Sequence, residues 1–287
     1  MFQPNAHVVA DTITEEGDRL TTIECTIHRF VLAEFNTHRA FSRNSASSRA
    51  IPFAKMRAKA LENPAVPLSW PQEQKGMQGG AELPEDVKEQ AEQEWLQARD
   101  AAVESADKLF KIGVHKSVIN RLLEPFLPHT IIVSATNWKG FWAQRCHPDA
   151  QPEIRAAAVA MKTAYDASTP VRIPWGGWHL PYITVEELKE FPIVMSRNGR
   201  GLREWEIVAA NPLLKISAAR CARVSYLTHD GVRDLDKDIE LFDRLARHKP
   251  PHASPLEHVA AAGVPLTGAL HGNFHGFTQL RHMLGMV

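Results

Sequence analysis

Residues 20–49 read LTTIECTIHRFVLAEFNTHRAFSRNSASSR. Three patterns succeed one another in it. From Leu20 to His28, Ile23, Cys25 and Ile27 alternate with Glu24 and Thr26, the period-two signature of a half-buried strand. Phe30, Val31, Ala33 and Phe35 then suggest a short helix. From Thr37 to Arg49 the chain carries three arginines, one histidine, one asparagine and four serines, with only Ala40, Phe41 and Ala46 apolar, so this is not an ordinary core segment. His38, Arg39, Ser42, Asn44, Ser47 and Arg49 supply donors at close spacing, a set that suits the several acceptor oxygens of a phosphate. A solvated, serine-rich loop is the alternative.

Working outward, a strand is expected around His7 to Asp11, with a turn at Glu15–Asp18 joining it to the strand above. Residues 63–82 are rich in Pro and Gly and read as an irregular excursion. Leu83 to Ile112 reads as a long amphipathic helix, with Val87, Ala91, Trp95, Ala98, Ala102, Ala106 and Leu109 on one stripe, Pro84 at its first turn and Gly113 as its stop. A second helix follows from His115 to Leu123, ending before Pro125. The unbroken apolar run within Thr130 to Ala135 predicts a buried strand. A polar and aromatic segment, Asn137 to His147, leads into a helix from Pro152 to Asp166. Residues 169–184 read as a covering loop. Further helices are expected at Leu213–Val224, Asp234–Arg247 and Phe274–Leu284, with a strand at Glu257–Ala261. Strands separated by helices, without a run of consecutive hairpins, give an α/β or α+β fold.

The 33 basic residues balance 33 acidic ones, so no overall positive field attracts nucleic acid, and an anion must be held by a local site. Three widely spaced cysteines without a CxxC pair argue against a disulfide framework or a structural zinc, and fit a reducing, cytoplasmic setting. The first residues lack a secretory pattern, and no run of about 18 apolar residues suggests a membrane span.

Other candidate chemistry is weaker. Arg121, near a helix end, and Arg145, after Phe141-Trp142, each have ordinary structural readings. Cys146 beside His147 invites a nucleophile reading, but sequence neighbours usually point apart and no known cysteine signature surrounds them. His248, His252, Glu257 and His258 lack metal-ligand spacing, so no metal is expected. Gly199-Arg200-Gly201 is too short for a dinucleotide fingerprint.

Several segments together resemble the flavin-dependent thymidylate synthases (ThyX), whose signature is RHRxxSxNExSxR. In Thr37–Arg49 the histidine, second arginine, serine, asparagine, second serine and last arginine match at the right spacing, while Thr37 and Ser45 stand where the family has Arg and Glu. INRLLEP (119–125) resembles the family's ARxxLP, and FWAQRCHPDAQPEI (141–154) resembles FLxLRxxxxAQxEI. AARCARVSY (218–226) resembles RAARVS, and HASPLEHV (252–259) resembles HxTPFEH. The family usually carries these last two near its N-terminus, so the resemblance implies a circularly permuted order.

The resemblance implies a single ThyX-like α/β subunit over 1–287, a mixed sheet flanked by long helices, with excursions at 63–82 and about 169–210, assembled as a homotetramer. It implies reductive methylation of dUMP to dTMP with methylenetetrahydrofolate, FAD and NADPH. Ser47, Ser48, Arg49, Arg121 and Arg145 would bind dUMP, with Arg145 and Ser47 catalytic. His38, Arg39, Ala40, Ser225, His252, Ser254 and Glu257 would lie around the flavin. Thr136 and Gly140 stand where the family often places flavin-contacting Arg and Asn, so the segment Gly272–His282, with Gln279 and Arg281, is a candidate replacement; a terminal amphipathic helix is its other reading. Two further functions stay open: a flavin- and folate-dependent hydroxymethylase of pyrimidine nucleotides, and a nucleotide-binding relative that has lost its flavin.

Overall fold

The structure, a computed structural model, describes residues 2–191, 193, 204–226, 233–263 and 273–286. Gly199-Arg200-Gly201 lies outside them. In chain order the first half contains β1 (Asn5–Ile13), β2 (Arg19–His28), α1 (Leu32–Phe35), β3 (Ser42–Ser45), α2 (Phe53–Glu62), α3 (Glu85–Lys111), α4 (Lys116–Leu123) and β4 (Pro128–Ala135). The second half contains α5 (Lys139–Arg145), α6 (Pro152–Ala167), β5 (Val171–Arg172), β6 (Trp178–His179), α7 (Val185–Glu190), α8 (Glu204–Ala210), α9 (Pro212–Arg223), α10 (Leu235–Arg247), β7 (Ala260–Ala262), β8 (Phe277–Gln279) and α11 (Leu280–Met283).

The strands form a five-stranded mixed sheet in the order β3-β4-β2-β1-β5 and a three-stranded sheet in the order β6-β7-β8. The turn expected at 15–18 joins β1 and β2 as an antiparallel pair, and β2 pairs with β4 so that Cys25 faces Ile131 and Ile23 faces Val133. That register puts Ile23, Cys25, Ile27, Ile131 and Val133 on one face, where they pack with Phe35, Phe141, Ile154 and Met161 from α1, α5 and α6 and with Phe41 and Trp138, which directly precede β3 and α5. A second core joins α2, α3 and α4 through Phe53, Met56, Val103, Ile119 and Leu123. A third gathers α9, α10 and the small sheet.

The expectation that β2 is half-buried is corrected. Its other face is covered too, and Thr22 is fully buried there. Between the sheets runs a chain of hydrogen bonds: His179 Nδ1 meets Thr12 Oγ1 at 2.8 Å, His179 Nε2 meets Thr22 Oγ1 at 2.7 Å, Thr22 Oγ1 meets Ser134 Oγ at 2.6 Å, and Ser134 Oγ meets His258 Nδ1 at 2.8 Å. Polar residues on that face mimic a solvated surface in the sequence because they satisfy one another.

Three other expectations change. Residues 169–184 are not only a loop, since they carry β5 and β6, and Trp178 and His179 are buried. The helix expected from His115 to Leu123 holds as α4, which ends at Leu123 and is followed by a separate 3-10 turn, Glu124–Phe126. The strand expected at Glu257–Ala261 is shifted and short: Ser254–Glu257 is a 3-10 turn and pairing starts at Ala260. The expected terminal helix is broken into β8 and the four-residue α11. Gly276 prepares that break: its φ is 71°, and a Cβ there would lie 2.2 Å from an Asp18 carboxylate oxygen, so only glycine lets the chain run this close to the β1–β2 turn.

Candidate functional site

The stretch 37–49 is not simply a solvated loop, since it carries β3. Phe41, 3% exposed, anchors it among the rings of Phe35, Trp138 and Phe141. Ser42 to Ser45 then pair with β4 as an edge strand. Four hydrogen bonds from Arg43 clasp the preceding turn: to Asn36 Oδ1 (2.8 Å), Asn36 O (3.2 Å), His38 O (3.1 Å) and Phe41 O (3.3 Å). Ser42 and Ser48 are buried, and Asn44 donates to Cys221 O and accepts from Ser225 Oγ. The polar residues are therefore internal fasteners as much as a ligand surface.

Three distant segments converge on β3. From α5, Arg145 donates through Nε to His38 Nε2 at 2.9 Å and through Nη2 to Glu34 O and Thr37 Oγ1. From α9 and the turn after it, Ser225 bonds Asn44, and Ser225 O accepts from Ser47 N at 2.9 Å. From the 3-10 turn at 254–257, Glu257 comes beside Ser42 and Arg43 and pairs with Arg281 at 2.6 Å.

The His38–Arg145 contact settles a protonation question. A guanidinium can only donate, so His38 Nε2 accepts, and in the neutral ring the proton sits on Nδ1. Burial, then Arg145, then Arg43 hold His38 down to about 4, which keeps it neutral. His38 thus offers an uncharged N–H donor. Glu257 is shifted the other way: burial raises its carboxyl, while Arg281, Ser42 and Arg43 oppose that rise.

The remaining expected site residues divide. Arg39, Ala40 and Arg49 are exposed, and neither guanidinium has a hydrogen-bond or ion-pair partner among the described residues. Ser47 and Ser48 lie where β3 turns toward α2, and Ser48 O accepts from the buried Asn120 amide at 2.6 Å. Arg121 stands apart in α4, paired with Glu124 at 2.9 Å and half-exposed, beside Arg29 in a cavity of ≈ 300 Å³. His252 is exposed, its ring edge-on to His248 at 4.5 Å, and Ser254 is exposed at the start of its 3-10 turn. No hydrogen bond ties Arg121, His252 or Ser254 to 37–49 among the described residues.

Cys146 packs against the aromatic core and burial raises its thiol, while His147 turns to Asp149. They do not form a nucleophile pair. Among the described residues no group of three or more His, Cys, Asp or Glu is arranged to hold a metal, and no helix is long and apolar enough to cross a membrane.

The profile of the family described as thymidylate synthase complementing protein matches residues 20–171, just over half of the chain. The chain belongs to that family, the flavin-dependent thymidylate synthases. Two solved structures of the UMP/dUMP methylase PolB from Streptomyces cacaoi are similar at 15% identity, one bound with 5-Br dUMP (TM-score 0.45) and one with 5-Br UMP (TM-score 0.47). Each alignment covers 57% of this chain, and 90% and 89% of the respective methylase chains. No curated protein matches.

Membership carries the themes of thymidylate synthesis and methyl transfer. Set against the thymidylate synthase signature, one residue that sequence reasoning passed over has clear work: Arg43 shapes the turn that presents His38, while the matched Ser42 accepts from Gln279 and lies beside Glu257. A variable position inside a signature gives no hint of an internal clasp. Thr37, where the signature has Arg, bonds Glu34 O and receives Arg145 instead. Thr136, another departure, accepts from His275 N at 3.0 Å, which fastens the C-terminal segment there.

Proposed function

We propose that this protein is an FAD-dependent thymidylate synthase that converts dUMP to dTMP, taking the carbon from methylenetetrahydrofolate and reducing equivalents from NADPH. One observation carries the reading: His38, Arg145, Ser225 and Glu257, drawn from four sequence-separated motif segments, meet around β3. The permuted order belongs to the same proposal and is supported by the packing of 218–226 and 252–259 against 42–47.

The donor set fits a flavin dinucleotide and a nucleotide. Arg39 and Arg49 are exposed guanidiniums without partners among the described residues, which leaves them available to a phosphate. His38 contributes a neutral N–H, and Glu257 an acceptor for hydroxyl or imide hydrogens. Bound FAD would supply the hydride chemistry. In this reading Arg145, whose Nη1 makes no bond among the described residues, is free to stabilise negative charge developing on the pyrimidine ring. Ser47 and Ser48 bound the nucleotide beside Arg49. Arg121, His252 and Ser254 would serve a site completed by a neighbouring subunit of a homotetramer, which accounts for their distance from His38.

The test is direct. The purified chain, reconstituted with FAD, is incubated with dUMP, methylenetetrahydrofolate and NADPH, and the nucleotide product is weighed. A gain of one methyl group supports the proposal. A hydroxymethyl product replaces it with the hydroxymethylase reading, and a protein that takes up no FAD overturns it.

A further inference from the structure

The segment 273–283 lies outside every motif of the family signature, yet it is fastened to the site at several points. His275 N reaches Thr136 Oγ1, and Gly276 allows the close approach to Asp18 that redirects the chain into β8. From β8, Gln279 is fully buried and donates from Nε2 to Ser42 Oγ at 2.6 Å. Its Oε1 is buried without a partner among the described residues. From α11, Arg281 Nη1 reaches Glu257 Oε1 at 2.6 Å, with side chains 28% and 16% exposed. Ser42 also lies beside Glu257 and helps to hold its carboxyl down, so the two contacts, Gln279 to Ser42 and Arg281 to Glu257, adjoin.

A largely buried ion pair adds little net stability, because desolvation of both charges offsets their attraction. A half-satisfied buried amide beside it adds cost. Such an arrangement is expected where a charged group must be kept in place for a ligand. The groups facing Glu257 are Arg281 from α11 and Arg43 and Ser42 from β3. Arg43 already spends its donors on the 36–41 turn, so Arg281 is the cation that directly bonds the carboxylate.

We infer that Arg281 and Gln279 are positioning residues of this site, holding Glu257 through Ser42 as an ionised, acceptor-only carboxylate for the hydroxyl or imide hydrogens of a bound flavin or nucleotide. This rests on the functional reading above. It goes beyond it in assigning part of the site to a C-terminal segment that the family signature does not contain, docked at Thr136, where the family often places a flavin-contacting arginine.

Two measurements on the full chain decide it. The Glu257 carboxyl is titrated by NMR of carboxyl-labelled glutamate, and FAD affinity is measured across the acid range. Arg281→Gln is expected to move the Glu257 titration upward and, with it, the acid limb of FAD binding. At a pH inside that shift FAD affinity falls about tenfold, the scale of one charge-assisted hydrogen bond. Arg281→Lys restores the limb. Gln279→Leu shifts it in the same direction by less, since its effect passes through Ser42. In a Glu257→Gln background the Arg281→Gln change has little further effect, because coupled partners are not additive.

An Arg281→Gln protein that melts lower but binds FAD with an unmoved acid limb makes the pair structural and overturns the inference, leaving the synthase proposal intact. A wild-type chain that binds no FAD at all overturns both.

Discussion

Arg145 is a cation held against a histidine, an arrangement that is stable only while the ring stays neutral. Burial, Arg145 and Arg43 keep His38 at about 4, against an ordinary 6.5. Because the folded value lies below the unfolded one, protonation favours the unfolded chain, and this contribution to stability is lost as pH falls from 6.5 toward 4. Arg145→Met removes the second-largest cause of the shift. The His38 titration, followed by NMR, is expected to rise toward 6.5, and the ring loses the partner that fixes its Nδ1–H tautomer. An unmoved titration would mean that burial and Arg43 set it without Arg145. Arg49 makes the contrasting case. It is exposed and has no partner among the described residues, so Arg49→Ala should change unfolding free energy by no more than about 0.5 kcal/mol. Its dUMP affinity should fall at least about tenfold. Calorimetric melting and nucleotide titration on the same preparation separate the two, and the opposite pattern would make the residue structural.

At the scale of elements, what links the small sheet to the large one is a buried hydrogen-bonded chain from Thr12 through His179, Thr22 and Ser134 to His258. The 3-10 turn carrying Glu257 and the β8–α11 segment carrying Gln279 and Arg281 both border the small sheet, so this chain sets their position relative to β3. His179→Ala removes the central ring and two of the hydrogen bonds, leaving a cavity and an unpaired Thr12 hydroxyl. The expected destabilisation is about 3 kcal/mol or more, read from the denaturant midpoint at neutral pH. A loss below about 1 kcal/mol would show that apolar packing alone holds the sheets together.

The same elements explain which parts of the fold were legible. The strands β2 and β4 and the helices α3, α9 and α10 carry sustained apolar periodicity, and their ends fall within a residue or two of expectation. The strands β6, β7 and β8 are only two or three residues long and exist through tertiary pairing, which leaves no local period to read. The site was legible in part for a related reason. His38, Arg145, Ser225 and Glu257 stand in motifs, whereas the contacts of Arg43, Ser42, Gln279 and Arg281 depend on how the chain returns to β3.

Across the whole molecule, burial lowers the same residue type repeatedly. His28 and His38 are shifted downward, and His129, His179 and His258 are held at about 3. Each is neutral in the folded chain, and each regains its ordinary 6.5 on unfolding. Between 6.5 and the folded values the unfolded chain binds more protons, so stability falls as pH falls. Each such proton contributes about 1.4 kcal/mol per pH unit. The carboxylates act in a different window. Burial raises Glu187, but Arg220, the Thr184 N–H and Arg233 together outweigh burial and bring it to about 2, so its contribution is lost only below its unfolded 4.5. Glu257, raised in the folded chain, opposes the histidines by binding its proton more readily when folded. The melting temperature is therefore expected to drop steeply between pH 6.5 and 4.5, before most carboxylates titrate. Replacing His179 by Gln, which bonds hydroxyls without titrating in this range, should flatten that slope by close to one proton. A melting temperature constant from pH 7 to 5 would show that the buried rings do not remain neutral in the fold.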